Sequence, residues 1–135
     1  MEENKDKNIE AIAKLISLTR DDKLRWTSVV STAILATGDD VIDSVFTARY
    51  KDKDLRVYRR KYKGPSLVPN IAVIFSGSGK SAELRWYTEV VLELIDPLGS
   101  SLWIFPKEEI LKDLLKTIKY KVSGAQDLIN SLLSE

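Results

Sequence analysis

The sequence predicts an α+β domain: an antiparallel β-meander with one N-terminal helix and two C-terminal helices covering one sheet face. Three observations carry that prediction. Apolar residues recur at helical spacing near both ends of the chain. Between them, over residues 44–62 and 84–95, the period changes to two. Those alternating runs are joined by turn-forming residues rather than by helices, which favours antiparallel neighbours over parallel βαβ units.

The elements follow in order. Ile9, Ile12, Ala13 and Ile16 form one stripe, widened by Leu15 and Leu18, with Glu10 and Lys14 as an i,i+4 pair, so a first helix is expected. Thr19 to Lys23 is a polar stop, and Leu24 to Val30 reads as a short strand centred on Trp26. Residues 31–43 suit helix or strand until Gly38-Asp39-Asp40 breaks either. Ser44 to Tyr50 and Leu55 to Tyr62 flank Lys51-Asp52-Lys53-Asp54 and read as a hairpin. Pairing Lys51 with Asp54 sets Tyr50 against Leu55, Ala48 against Val57 and Phe46 against Arg59, a mostly apolar face. Arg49, Arg56, Tyr58, Arg60 and Tyr62 then point the other way. Tyr50, Leu55, Val57, Trp86, Val90 and Leu92 should be largely buried, and Arg49, Arg56 and Arg60 substantially exposed.

Gly64 to Pro69 reads as a loop, Ile71 to Phe75 as a short strand, and Ser76 to Ser81 as a flexible connection. A long strand is expected from Leu84 to Ile95. Leu84, Trp86, Val90, Leu92 and Leu94 lie on one side, and Arg85, Tyr87, Glu89 and Glu93 on the other. Asp96 to Ser100 turns the chain into a short strand, Leu102 to Phe105. Pro106 suits a helix start, with Glu108 and Glu109 near the positive end of the dipole. Ile110, Leu111, Leu114, Leu115, Ile118 and Val122 give that helix its buried stripe, and Lys116, Lys119 and Lys121 sit toward its C-terminus. Ser123 with Gln126 is a capping-box pattern, so a last helix should present Ala125, Leu128, Ile129, Leu132 and Leu133.

Composition narrows the chemistry. The chain has 135 residues, 44% of them hydrophobic, which suits one domain, 1–135, with a proper core. Lys plus Arg number 21 and Asp plus Glu 20, so no global field draws it to nucleic acid or anionic membrane. It contains no cysteine and no histidine, which removes disulfides, thiolate nucleophiles, zinc sites of the usual kinds and imidazole catalysis. No secretory signal, lipidation motif or membrane-length apolar run is apparent, and the cytoplasm is the expected location.

Gly77-Ser78-Gly79-Lys80-Ser81 invites comparison with a phosphate loop, but Ile74 stands where the first glycine of that motif belongs and a strand follows instead of a helix. Asp39, Asp40 and Asp43 could hold a divalent cation, but they lack the ladder of an EF-hand loop, Asp39-Asp40 after Gly38 suits a helix N-cap equally well, and a structural role is favoured. Glu89 and Glu93 share a strand face about 13 Å apart, too far for a catalytic pair. No cofactor, metal or small-molecule ligand is implied. Trp26, Trp86 and Trp103 read as core or interface anchors.

The strongest local feature is basic. Arg49 to Lys63 holds eight Lys or Arg and two Asp, a local charge of 8 − 2 = +6, so the remainder carries −5. Cations interleaved with rings on a sheet suit single-stranded nucleic acid, with Arg49, Arg56, Tyr58, Arg60 and Tyr62 as the candidate contacts. The competing reading pairs those arginines with Glu89 and Glu93 across the sheet.

The segments Ala11 to Trp26, Val45 to Tyr58, Val90 to Pro106 and Leu111 to Leu133 together resemble an uncharacterised family of small bacterial proteins. The resemblance implies a helix–sheet–helix module in a cytoplasmic setting and brings no activity. The expected function is a non-catalytic binding or regulatory module acting through protein contacts or self-association. Single-stranded nucleic-acid binding by the hairpin is the alternative. An enzyme using carboxylate, lysine or tyrosine groups is the less favoured one.

Overall fold

A computed structural model describes residues 2–29, 40–65 and 84–135. Helix α1 (Glu2–Arg20) leads into β1 (Trp26–Ser28), β2 (Val41–Tyr50), β3 (Lys53–Pro65), β4 (Leu84–Ile95) and β5 (Ser101–Ile104), followed by α2 (Ile110–Val122) and α3 (Ala125–Leu133). The five strands form one antiparallel sheet in sequence order, β1-β2-β3-β4-β5. This is the α+β architecture that the periodicities predict.

Local chemistry sets the boundaries. α1 stops because Asp22 takes a left-handed conformation (φ 60°), which lets the Lys23 amide donate to the Leu18 carbonyl at 2.9 Å and the Asp22 amide to that of Thr19. The hairpin closes over Lys51-Asp52 alone, with Lys51 at φ 56° and Tyr50 opposite Lys53. The expected pairing of Lys51 with Asp54 is therefore off by two residues. A slip of two keeps every side chain on its expected face, whereas a slip of one would exchange them. Ala48 faces Leu55 and Phe46 faces Val57, all four buried.

A β-bulge between Asp43 and Phe46, with Ser44 at φ 54°, then adds one residue to β2 and aligns Asp43 with Arg59 and Ile42 with Arg60. β3 runs through Gly64 and Pro65, which the sequence assigned to a loop. Residues 31–39, the Ile71 to Phe75 strand, the Gly77 to Ser81 loop and Asp39 lie outside the described residues.

The core lies between the sheet and the pair α1–α2. Ile12, Leu15 and Ile16 meet Leu111, Leu114, Leu115 and Ile118 over Phe46, Leu55, Val57, Val90 and Leu92. Trp26 closes one side, its indole N–H donating to Thr19 Oγ1 at 3.0 Å, while that hydroxyl donates to the Leu15 carbonyl. The polar atoms are thus satisfied inside an apolar layer.

α2 begins at Ile110 rather than near Pro106. α3 is capped by Gly124 (φ 74°) rather than by Ser123, although Ser123 Oγ accepts from the Ala125 amide. α3 extends the helical layer without entering the core: it has no buried residue.

Two expectations about burial need correction. Trp86 is 51% exposed and Tyr50 39%, because β2, β3 and β4 outrun the helices at both ends. Trp103 is likewise exposed, on the edge strand. Arg56, expected at the surface, is buried at 8%. The cause is not an exchanged register. The face turned away from the helices is itself partly buried, at Ile42, Val45, Arg56 and Glu93.

Candidate functional site

The predicted site residues occupy the sheet face opposite α1 and α2, where the antiparallel pairing of β3 with β4 brings unlike charges into register. Arg56 lies across from Glu93, Tyr58 from Val91, Arg60 from Glu89 and Tyr62 from Tyr87. Arg56 Nε donates to Glu93 Oε1 at 2.6 Å, and Arg56 Nη1 donates to the Gly99 carbonyl at 2.8 Å. That carbonyl is presented by the β4–β5 turn. Gly99 adopts φ 90°, and Asp96 Oδ1 accepts from the amides of both Leu98 and Ser100. Glu93 is 2% exposed, so this is a buried pair with its hydrogen bonds made.

Arg60 bridges two carboxylates, donating to Asp40 Oδ2 at 2.8 Å and to Glu89 Oε1 at 2.7 Å. Bonding to Asp40 raises its already high pKa further, against some desolvation. Its guanidinium also lies 4.6 Å from the centre of the Tyr62 ring, which stacks on Tyr87 at 5.6 Å. Tyr58 is half-buried between the two arginines, and burial pushes its hydroxyl pKa up, assisted by the negative charge of Glu93. Arg49, at the hairpin end, pairs with Asp54 at 3.3 Å in an exposed setting. On the helix side, Arg59 grips Asp43 with two bonds of 2.8 and 2.9 Å. That bond holds the Asp43 carboxyl below its usual range, against the opposing effect of burial.

All four hairpin arginines are therefore matched by carboxylates, as the competing reading of the basic segment expected for Arg56 and Arg60. Asp40 and Asp43, considered for a cation, serve instead as arginine acceptors, and no cluster with metal-ligand spacing occurs among the described residues. The carboxylates Asp40, Glu89 and Glu93 of this face are each held by a guanidinium group.

Two further surfaces remain, the first expected from the sequence as a contact surface of the C-terminal helices and an open sheet edge, the second not. The first is apolar. α3 exposes Leu128, Ile129, Leu132 and Leu133 at 45–80%, and β5, the last strand of the sheet among the described residues, exposes Leu102, Trp103 and Ile104. The amphipathic pattern identified the α3 stripe but could not reveal that nothing in the described chain covers it. The second surface is a cationic cleft between α2 and the far end of β3–β4, floored by Val90 and Leu115. No described helix is long and apolar enough to cross a membrane. Comparison with protein-family models, with curated proteins and with solved structures gave no match.

Proposed function

We propose that the protein is a non-catalytic, cytoplasmic binding or regulatory module that works through protein contacts, first of all with a second copy of itself. The observation that carries this reading is α3. A nine-residue helix is too short to persist in water on its own propensity and needs its apolar face covered. Here four large aliphatic residues of that face stay open. Asp127 is the one charged residue within the helix, so little electrostatic repulsion opposes its approach to an identical helix. β5 supports the same reading, since Ser101–Ile104 contains no charge and no proline to blunt an edge that no other described strand pairs with. The resemblance to small bacterial helix–sheet–helix proteins belongs to this proposal and supplies no activity of its own.

Size-exclusion chromatography with light scattering tests it. The chain should elute as a dimer or larger species, and Leu128→Asp with Leu132→Asp should elute as a folded monomer. A wild-type chain that stays monomeric at every concentration and retains no protein partner would overturn the reading.

A further inference from the structure

The lysines of the basic hairpin behave differently from its arginines. Among the described residues, Lys61 and Lys63 form no ion pair, and both lie on the helix side of β3, opposite Thr88 and Trp86 of β4. α2 turns Lys112, Lys116 and Lys119 toward the same end of the sheet, spaced so that they share one helix face. Arg59, Thr88, Glu89, Lys112, Lys116 and Lys119 line a cleft of about 450 Å³. Asp43 neutralises Arg59, Glu109 pairs with Lys112 at 3.1 Å, and Glu89 is held by Arg60. Among the described residues Lys61, Lys63, Lys116 and Lys119 form no ion pair, in a molecule whose net charge is only +1, and the carboxylate that Lys61 feels, Asp43, is already gripped by Arg59.

The second observation is the ring beside them. Trp86 stands half exposed at the end of this row, with Lys63 Nζ 4.9 Å from its ring centre. Clustered like charges repel one another, and a polyanion relieves that repulsion by displacing counterions. An open indole face is a stacking platform that any base can use. A base can reach it only if it is not paired and stacked inside a duplex. We propose that this cleft binds a single-stranded nucleic acid, the four unpaired lysines contacting phosphates and Trp86 stacking a base. The site lies on the opposite side of the sheet from Arg56, Tyr58, Arg60 and Tyr62, and it is independent of the α3 surface.

A fluorescein-labelled oligothymidylate of roughly 12 nucleotides, titrated with the full chain and followed by anisotropy, provides the test. Four phosphate contacts on a single strand imply a log–log salt slope near −3. Affinity should therefore fall about fifty-fold between about 50 mM and about 200 mM salt. Lys116→Gln with Lys119→Gln should roughly halve that slope. Trp86→Ala should weaken binding about five-fold or more at every salt concentration. Lys51→Gln with Lys53→Gln, at the other end of the hairpin, should change neither quantity. Three results would each overturn the proposal: no binding tighter than about 100 µM at low salt, a Trp86→Ala variant that binds as the wild type does, or a loss that follows Lys51 and Lys53 instead. The second would leave only a cleft for phosphate groups.

Discussion

At the scale of single residues, arginine and lysine divide the work of a segment that reads as uniformly basic. The planar guanidinium donates at two points at once, so Arg56, Arg59 and Arg60 are fixed in networks, whereas Lys51, Lys53, Lys61 and Lys63 form no ion pair among the described residues. The buried pair Arg56–Glu93 makes this measurable. Glu93→Ala leaves a guanidinium uncompensated in a nearly closed site and should cost about 3–5 kcal/mol in urea unfolding. Arg56→Met with Glu93→Leu removes both charges and should come within about 1 kcal/mol of the wild type, or exceed it. A double variant as unstable as the single one would mean that the pair itself, not the orphaned charge, supplies the stability. The Asp43–Arg59 bond adds a pH dependence with a definite sign. The folded state holds the Asp43 carboxyl below its ordinary value of 3.8, so its contribution is complete above that value and is lost as pH falls through the lower folded one. The acid limb of a stability–pH curve should therefore be shallower in Asp43→Asn. Tyr58 acts at the opposite end: burial raises its pKa above 10.0, so stability falls as pH rises past that value, and Tyr58→Phe should remove that alkaline component.

Among elements, what the sequence made legible was periodicity, and what it concealed was length and cover. The alternation in β4 placed Val90, Leu92 and Leu94 against the helices and Glu89 and Glu93 away from them, as found. The same alternation put Trp86 on the core side, which is also correct, yet the helical layer ends before reaching it. The bulge at Ser44 could not be read, because serine has no special preference for a left-handed conformation and nothing in the strand announces the extra residue. The two C-terminal helices present nearly equivalent stripes in the sequence, and only packing separates them. Leu114 is fully buried in α2, and Leu114→Ala should cost about 2–5 kcal/mol in chemical denaturation. Leu128 is 61% exposed in α3, and Leu128→Ala should shift the stability of the dilute, dissociated chain by no more than about 0.5 kcal/mol. Equal costs at the two positions would show that α3 is covered even in the monomer.

For the molecule as a whole, the decisive property is how the sheet distributes its charge between faces. The sequence places eight cations between Arg49 and Lys63, but which of them remain free depends on cross-strand register, and register depends on a two-residue turn and a bulge that composition does not encode. The face that looked cationic is neutral by pairing, and the free charge appears on the other side, beside α2. Apolar exposure is segregated as well, onto α3 and the β5 edge. If α3 is covered by a second copy, folding and association are linked, and the melting temperature must depend on protein concentration by mass action. Raising the concentration about a hundred-fold should raise the wild-type midpoint by several degrees, the linked stabilisation being of order 2–3 kcal/mol. Leu128→Asp with Leu132→Asp should flatten that dependence while leaving the dilute-limit midpoint near that of the wild type, because neither side chain contributes to the monomer core. A wild-type midpoint unchanged across that range would rule out self-association as the cover for α3. A variant that melts well below the dilute wild type would instead show that the stripe packs within its own chain.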